Sequence, residues 1–297
     1  MTFAMHALLA TPEDRPEMRP AILLDIDGTL LGAVKGSREP CADKKLLALL
    51  MELRQALDGA LAFVSGRSIE DIDCLFGNTD WNVAGLYGME IRCGGRLRRL
   101  AIPIVDRPRM RAAVTELALK IPGVILQDKG IMMTLHAHDD DAAWMELLLQ
   151  ASLLAPALPG CDIQLRDRAI EFRPLGITKA YAIERLLRLA PFADRKPWYF
   201  GDDHSDEAAF AHVRSLSGNA ILTGSRAASW ATQHLAEPAE VRGYLCDLLG
   251  TLRRSAPAKL HPDKPYVCVP SDQMNFIADV MVHTSSYEER DLERLSL

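Results

Sequence analysis

The chain has 297 residues, of which 48% are hydrophobic and 25% are charged, and its formal net charge is -6. This length and composition are typical of a globular protein of one or two domains that buries a sizeable core. A general nucleic-acid-binding protein would carry a basic surface. The acidic balance therefore disfavours that class, and we predict no nucleic-acid partner.

Six cysteines are scattered along the chain without a C-x-x-C pair, at positions 41, 74, 93, 161, 246 and 268. In a chain of this size that pattern favours free thiols in a reducing compartment over a disulfide framework or a zinc site. Met1–Pro20 lacks the apolar core of a signal peptide. Trp144–Leu158 is too short to span a bilayer and carries Glu146. We expect a cytoplasmic protein without a membrane segment.

The first third of the chain alternates predicted strands with predicted helices. The elements are strand Ala21–Leu24, helix Ala42–Leu57, strand Ala60–Val64, helix Ser68–Phe76 and strand Asn82–Leu86. Leucines recur at helical spacing in the first helix, and Ser68 is a typical helix cap. This alternation indicates βαβ units and a parallel sheet.

The pattern changes between about Arg107 and Arg173, where each predicted helix is followed by two short strands. The helices are Met110–Lys120 and Ala142–Leu154, and the strands are Val124–Gln127, Ile131–His136, Cys161–Arg166 and Ala169–Phe172. The α/β alternation then returns as helix Thr178–Leu189, strand Trp198–Phe200, helix Glu207–Leu216, strand Asn219–Leu222 and helix Ala239–Arg253. One α/β domain is therefore predicted to be interrupted by a small α+β unit.

We divide the chain accordingly into four parts. They are a leader at 1–19, an α/β core at 20–105 and 175–254, an inserted α+β domain at 106–174, and a C-terminal extension at 255–297. Hinges are expected near Pro103–Pro108 and Pro174–Ile177, where the insertion leaves and rejoins the core. The extension is interpreted as a partly ordered tail, with a partner-binding segment as the alternative.

Two acidic residues close the first predicted strand, in Leu24-Asp25-Ile26-Asp27-Gly28-Thr29-Leu30. The spacing of Asp25 and Asp27 places both side chains on the same face of a strand, and Gly28 permits a sharp turn. Two converging carboxylates are costly unless a metal ion or a reacting phosphate lies between them. The alternative is an ordinary strand followed by a polar turn, because Asp and Gly are common turn residues.

Three further groups follow predicted strands or begin the returning helix: Ser65-Gly66-Arg67, Lys179, and the acidic run Asp202–Glu207. The carboxyl ends of parallel strands form the edge where open α/β sheets bind ligands. Each group alone has an ordinary explanation, as a turn, a solvated lysine, or a helix cap in which Asp206 reaches back to Asp203. Their joint occurrence in this order favours one shared site.

These residue types together indicate phosphoryl transfer. A carboxylate that attacks a phosphate dianion needs strong charge neutralisation, and Mg²⁺ prefers carboxylate oxygens. Asp25 and Asp202 are the predicted metal ligands, with Asp203 as a further candidate. The predicted phosphate or substrate contacts come from Ser65, Gly66, Arg67 and Lys179.

The predicted reaction divides the chemistry between the first two aspartates. Asp25 attacks phosphorus and forms an aspartyl-phosphate. Asp27 protonates the leaving alcohol and then deprotonates the water that hydrolyses this intermediate.

The motifs closely resemble those of haloacid dehalogenase superfamily phosphatases over about residues 20–250. The superfamily's four motifs correspond here to Asp25–Thr29, to Ser65, to Lys179, and to Asp202, Asp203 and Asp206. The resemblance implies an α/β fold with a Rossmann-like parallel-sheet core and an inserted α+β cap domain. It also implies that Asp27 touches the metal ion through its backbone carbonyl.

Within that superfamily the chain resembles the trehalose-6-phosphate phosphatases. The family's Gly-x-His-Gly-x-Glu appears as Gly85–Glu90, with Tyr87 in place of histidine and Glu90 retained. Its cap motifs Glu-x-Lys and Glu-x-x-Pro appear as Gln127-Asp128-Lys129 and Glu171–Pro174. By this resemblance Glu90, Gln127, Lys129 and Glu171 are candidate substrate contacts.

Two further positions depart from that family's pattern. Its His-Tyr-Arg appears as His136-Ala137-His138, and its Asn-Lys-Gly as Thr178-Lys179-Ala180. Gln127, Lys129 and Glu171 still offer the mixed donors and acceptors that sugar hydroxyls need. The alternative is that Lys129 and Glu171 form a weak ion pair on the cap surface.

The resemblance therefore implies a Mg²⁺-dependent phosphatase that hydrolyses trehalose 6-phosphate, a small-molecule sugar phosphate. The same chemistry on sucrose phosphate or a glycosyl-phosphoglycerate is the first alternative. A catalytically silent regulatory module on the same fold is the second. The cap would close over a fitting sugar and exclude bulk water from the reaction.

Overall fold

The fold is built around β1 (Ala21–Leu24), four apolar residues that are completely buried. In a computed structural model, residues 19–32, 41–77, 80–100, 106–137, 140–166 and 168–255 are described. Strand β1 pairs in parallel with β2 (Leu61–Val64) on one side and with β10 (Pro197–Gly201) on the other. Residues that follow these three strands are therefore brought to one edge of the sheet.

The core sheet extends from this centre in both directions. Its spatial order is β12 (Gln233–Leu235), β11 (Asn219–Thr223), β10, β1, β2, β3 (Asn82–Gly85), β4 (Glu90–Cys93) and β5 (Arg96–Arg99). Pairing is parallel from β12 to β3, and the hairpin of β4 and β5 adds two antiparallel strands at the end. The helices of this layer are α1 (Lys44–Ala56), α2 (Ile69–Phe76), α5 (Lys179–Leu187), α6 (Glu207–Ser215) and α7 (Pro238–Ser255).

A second sheet, the cap sheet, is inserted between β5 and α5. Its spatial order is β6 (Ile125–Asp128), β7 (Met133–His136), β9 (Ala169–Pro174) and β8 (Cys161–Arg166), all antiparallel. Two helices accompany it, α3 (Arg107–Lys120) and α4 (Asp141–Leu154). The register aligns Gln127, Thr134, Glu171 and Gln164 in one row across the four strands, so these polar residues share a face.

Each sheet has its own buried apolar cluster. The core cluster includes β1, β2 and the inward faces of α1 and α7, and the cap cluster joins α3 and α4 to one face of the cap sheet. A third, smaller cluster joins the two layers, and its buried members are Leu86, Tyr87, Met89, Met132 and Ile177. The predicted α/β core with an inserted α+β cap is therefore confirmed, whereas the exact domain bounds stay predictions.

Most predicted elements are found within a few residues of their predicted ends. The capping box of Ser68 with Asp71 begins α2 as the sequence indicated. Strands β4, β5 and β12 were not predicted. The leader 1–18, residues 101–105 of the first hinge, His138 and the extension 256–297 lie outside the described residues.

The cysteines within the described ranges are free thiols, at positions 41, 74, 93, 161 and 246. Burial raises the pKa of the Cys161 thiol to about 11, so this thiol is not activated as a nucleophile. No helix in the described part of the chain has both the length and the apolar character required to cross a bilayer.

Candidate active site

The site lies where β1, β2 and β10 end. The backbone N–H of Asp25 donates to the carbonyl of Phe200 at 2.9 Å and so continues the ladder between β1 and β10. The N–H of Ser65 donates to the carbonyl of Ala84 at 3.0 Å, which ties the end of β2 to β3. Asp202 follows β10 directly. The sheet topology thus gathers Asp25, Ser65 and Asp202, which the sequence predicted from their strand-end positions.

Lys179 reaches this edge from the first turn of α5. Thr178 caps that helix by accepting the N–H of Tyr181 on Oγ1 at 3.2 Å. The ammonium Nζ of Lys179 lies 2.7 Å from Oδ1 of Asp25 and 2.7 Å from Oδ1 of Asp206. All three side chains are buried, so Lys179 belongs to a buried ion cluster and is not a solvated lysine.

Asp206 anchors the loop that follows β10. Its Oδ2 accepts the backbone N–H groups of Asp202 and Asp203, at 3.0 and 2.9 Å. Its Oδ1 accepts from Lys179 Nζ and from the hydroxyl of Tyr199. With four donors, Asp206 fixes the position of the two preceding carboxylates, as the cap-box alternative anticipated.

Three carboxylates form a candidate metal centre. Asp25, Asp202 and Asp206 each offer an oxygen, and these atoms lie within 4.8 Å of one another. Burial raises the pKa of Asp25 well above its ordinary value, although the charge of Lys179 acts in the opposite direction. Burial and the charges of Asp203 and Asp206 raise the pKa of Asp202 to about 7. Such crowded carboxylates fit a hard divalent cation, which would favour their ionised forms.

The two remaining predicted metal ligands are engaged differently. The carboxylate of Asp27 is held by Arg67 in a two-point ion pair, with Nε–Oδ2 at 2.8 Å and Nη2–Oδ1 at 2.9 Å. Asp203 accepts from the N–H and the hydroxyl of Ser205, at 2.8 and 2.6 Å. Burial opposes the charge of Asp203, but Lys179, Arg166 and its hydrogen bonds outweigh it and lower the pKa. The carboxylates closest to Asp25 are those of Asp202 and Asp206, whereas metal contacts from Asp203 and from the backbone carbonyl of Asp27 stay predictions.

The loop after β2 forms the floor of a cleft. Ser65 is buried and its Oγ accepts the N–H of Arg67 at 3.1 Å. Gly66 lies beneath the ring of Tyr87, where an added Cβ would come within 2.8 Å of the ring. The carbonyl of Gly66 accepts from Lys129 of the cap at 3.4 Å. The sequence motif at positions 65–67 therefore lies directly between the core and the cap.

The cleft is a cavity of about 580 Å³, a size typical of small-molecule sites. Its lining joins core residues to cap residues: Asp27, Gly28, Ser65, Gly66, Arg67, Asp202 and Asp203 from the core, and Gln127, Lys129, Thr134, His136, Arg166 and Glu171 from the cap. The cap positions predicted from the sequence, Gln127, Lys129 and Glu171, are thus brought to the catalytic edge. Burial lowers the pKa of Lys129, which Glu171 partly offsets.

Glu171 is already bonded to the core. It is buried, and it accepts the hydroxyl of Tyr87 in a close hydrogen bond. The guanidinium of Arg173 lies 4.8 Å from the centre of the same ring. Tyr87 thus joins the two layers at the position where the sequence departs from the family pattern.

Glu90 is a predicted substrate contact that lies away from the cleft. It lines a separate cavity of about 480 Å³. Its oxygens accept the N–H of Ile69 at 3.2 Å and Nε of Arg99 at 3.0 Å. Because β4 runs antiparallel to β3, Glu90 faces the start of α2, where it supports that helix.

The sequence patterns did not identify three residues of the site. Tyr199 bonds Asp206, Arg166 crosses from the cap to the catalytic loop, and Thr134 places a buried hydroxyl without a described partner beside the cleft. Thr134 and Arg166 stand on predicted strands, but nothing in the sequence shows which face of the cap sheet meets the core. Tyr199 lies in an apolar strand, and this pattern predicts a residue of the hydrophobic core.

The fold and the site together define a hydrolase of the haloacid dehalogenase superfamily, with an aspartate pair at the end of the central strand and a lysine beside it. A family model described as trehalose-phosphatase matches residues 23–241. The chain belongs to the trehalose-phosphatase family and is a phosphoric monoester hydrolase.

Two curated relatives carry the same family description. The chain is 35% identical over 207 residues to a probable trehalose-phosphate phosphatase of Sinorhizobium fredii, covering 69% of this chain and 77% of the relative. It is 30% identical over 222 residues to the trehalose-6-phosphate phosphatase of Escherichia coli, covering 73% and 84%.

Solved structures agree on the fold. The C-terminal domain of the C. albicans trehalose-6-phosphate phosphatase superposes with a TM-score of 0.68 at 20% identity, over 77% of this chain and 91% of that one. A haloacid dehalogenase-like hydrolase from Bacteroides thetaiotaomicron gives a TM-score of 0.58 at 17% identity, over 76% and 98%.

Proposed function

We propose that this protein hydrolyses trehalose 6-phosphate to trehalose and phosphate through an aspartyl-phosphate on Asp25. The supporting observation is the buried pairing of Asp25 Oδ1 with Lys179 Nζ at 2.7 Å, beside Asp202, which lines the cleft between core and cap. A carboxylate nucleophile beside a buried lysine and a candidate metal centre has the charge neutralisation that attack on a phosphate ester needs. The named substrate of the relatives supports the choice of sugar.

Each core residue has one task in this proposal. An oxygen of Asp25 attacks phosphorus, and the bond from phosphorus to the sugar oxygen breaks. Asp27 leaves its ion pair with Arg67 and takes up a proton from solvent before the reaction. It gives that proton to the sugar oxygen and then takes one from the attacking water. Water replaces Asp25 on phosphorus, so inorganic phosphate leaves and the carboxylate is regenerated. Ser65 and Lys179 hold the phosphoryl oxygens that take no part in bond exchange.

The bound cation in this proposal is Mg²⁺. Asp25 and Asp202 would hold it, with Asp206 behind them and the backbone carbonyl of Asp27 as a further ligand. When bound, Mg²⁺ would offset the charge of the carboxylates and of the phosphoryl oxygens.

A second candidate keeps the chemistry and changes the sugar. Glu171, a predicted sugar contact on the cap, is here hydrogen-bonded to Tyr87 of the core. Because the carboxylate of Glu171 already accepts a hydrogen bond from the core, it is less available to accept one from a sugar hydroxyl. Another sugar phosphate, such as sucrose phosphate or a glycosyl-phosphoglycerate, is the substrate that this observation favours.

The test is phosphate release from a panel of sugar phosphates, with and without Mg²⁺. We expect trehalose 6-phosphate to be preferred, EDTA to abolish turnover and Mg²⁺ to restore it. Asp25→Asn should lower kcat at least 10⁴-fold, whereas Asp247→Asn, an exposed substitution on α7, should leave it unchanged. A clear preference for another sugar would move the assignment to the second candidate.

Two outcomes would contradict the phosphatase proposal itself. One is a wild-type protein that is inactive on the whole panel, which favours a silent regulatory module. The other is equal activity in chelator-treated and Mg²⁺-loaded protein.

A further inference from the structure

Arg166 crosses from the cap to the catalytic loop of the core. It is the last residue of β8, and 25% of its side chain is exposed. Its Nε lies 3.4 Å from Oδ2 of Asp203. Its Nη1 donates to the hydroxyl of Ser205 at 3.3 Å and to that of Tyr87 at 3.2 Å. All three partners belong to the core, and Arg166 lines the same cleft as Asp27 and Ser65.

These contacts fix the position of the Arg166 guanidinium but leave part of its hydrogen-bonding capacity unused. Charge-assisted hydrogen bonds are usually ~2.7–2.9 Å long, as between Arg67 and Asp27, and those of Arg166 are longer. Among the described residues none accepts from Nη2 of Arg166. A guanidinium with one long contact to a carboxylate can exchange that partner for a second anion at a small cost in free energy.

The described lining of the cleft carries more carboxylates than cations. The carboxylates that line it are those of Asp27, Asp71, Asp202, Asp203 and Glu171. The carboxylate of Asp25 lies beside that of Asp202. The cations of the core are engaged: Lys179 lies between two carboxylates, and Arg67 is bonded to Asp27. The cap brings two cations to the cleft, Lys129 and Arg166, and these would add to the charge neutralisation that Mg²⁺ supplies for a phosphate dianion.

Arg166 remains charged where it lies. Burial opposes its charge, but the adjacent Tyr87, Asp203 and Glu171 outweigh burial and raise its pKa, and Asp25 contributes in the same direction. A planar fork of N–H donors suits two phosphoryl oxygens better than it suits sugar hydroxyls.

We propose that Arg166 is a substrate-binding residue carried by the cap, which releases Asp203 and binds the phosphoryl oxygens of the sugar phosphate. This inference rests on the proposed phosphatase function and adds a link between cap closure and charge neutralisation. With the cap open, the core holds phosphate weakly. With the cap closed, as it is in this structure, the guanidinium completes the phosphate site. A fitting sugar favours this closed state, so fit at the sugar raises the rate at phosphorus.

The experiment compares Arg166→Met and Arg166→Lys with a matched control, Arg168→Met. Arg168 is the next arginine on the same hairpin, and it pairs with the exposed Asp141 and does not line the cleft. Binding of inorganic phosphate is measured by calorimetry in Mg²⁺. Steady-state constants are measured for trehalose 6-phosphate and for p-nitrophenyl phosphate, and affinity is measured for trehalose alone.

Arg166→Met should weaken phosphate binding at least tenfold and lower kcat/KM for the sugar phosphate. Arg166→Lys should lose less, because it keeps the charge without the fork. Trehalose affinity should stay within twofold, and Arg168→Met should match wild type in every assay. The calorimetric arm needs no sugar substrate, so it tests Arg166 even where another sugar phosphate proves to be the substrate.

Unchanged phosphate affinity in both Arg166 variants would overturn the proposal. A loss of trehalose affinity with unchanged phosphate affinity would also overturn it. Arg166 would then bind the sugar or stabilise the closed cap, without binding the phosphoryl group. Should Arg166→Met fail to fold, Arg166→Lys and its phosphate affinity decide.

Discussion

Lys179 is the residue on which the charge balance of the site depends. Its ammonium is almost completely buried and has two carboxylate neighbours, Asp25 and Asp206, each at 2.7 Å. Burial opposes the charge of Lys179, but Asp206 and Asp25 outweigh burial and raise its pKa. Removing one member of such a cluster leaves the others buried without compensation. The same side chain is therefore predicted to serve both stability and phosphate binding.

Lys179→Met should lower the free energy of unfolding by about 3–5 kcal/mol in metal-free buffer, because it strands two buried carboxylates. Urea unfolding followed by circular dichroism measures this. Lys120→Met is the control, since Lys120 is exposed and pairs only with Glu116 one turn away. Its effect should stay within about 0.5 kcal/mol. Equal stability of Lys179→Met and wild type would contradict the buried-cluster account.

The site residues that could be predicted are those whose position follows from a strand end. Asp25, Ser65 and Asp202 are placed by local sequence plus one rule about parallel sheets. Arg166 and Glu90 are placed by contacts that the local sequence does not encode. Arg166 depends on which face of the cap sheet meets the core, and Glu90 on the reversal of direction at β4.

At the scale of elements, the turn after β1 is fitted closely to the loop after β10. Gly28 has a φ of +77°, and a Cβ built there would lie 1.9 Å from Oδ2 of Asp202. An alanine would strain the backbone and displace a carboxylate of the candidate metal centre. The two loops are therefore predicted to move together.

Gly28→Ala should weaken Mg²⁺ activation at least tenfold and cost about 1–3 kcal/mol of stability. A Mg²⁺ titration of phosphatase rate and a thermal melt measure the two effects. Gly77→Ala is the matched control, because Gly77 has a similar φ of +78° but a Cβ there meets no described atom within 4 Å. Identical Mg²⁺ titrations for the two variants would show that Asp202 does not depend on this turn.

The elements found by sequence reasoning are those with a strong hydrophobic period. Strands β1 and β2 are short apolar runs, and α1 repeats leucine at helical spacing. The hairpin of β4 and β5 was missed because β5, Arg96–Arg99, is exposed at every residue and shows no apolar run. The dipeptide Gly94-Gly95, a common two-residue hairpin turn, is the signal that would have revealed it.

At the scale of the whole molecule, the cap is held to the core by one small apolar cluster and a few polar contacts. Met132 and Ile177 come from the cap and its return to the core, and they pack with Leu86, Tyr87 and Met89. The polar contacts between Tyr87 and Glu171 and between Lys129 and Gly66 surround this cluster. Such a small seam is expected to open at a lower free energy than either layer unfolds.

Two adjacent methionines belong to different apolar clusters, one between cap and core and one inside the cap, so they allow a paired test. Met132 is fully buried in the seam cluster, whereas Met133 is buried in the cap cluster opposite Phe172. Met132→Ala should raise KM for the sugar phosphate several-fold and speed amide exchange around Leu86–Met89, because it removes packing between the layers. Met133→Ala should cost about 2–5 kcal/mol in the cap and speed exchange in β7 and β9, while the seam segment of the core keeps its protection. Hydrogen exchange read by mass spectrometry distinguishes the two patterns. If both variants loosen the same peptides, cap and core unfold as one cooperative unit, and closure of a separate cap cannot control the reaction.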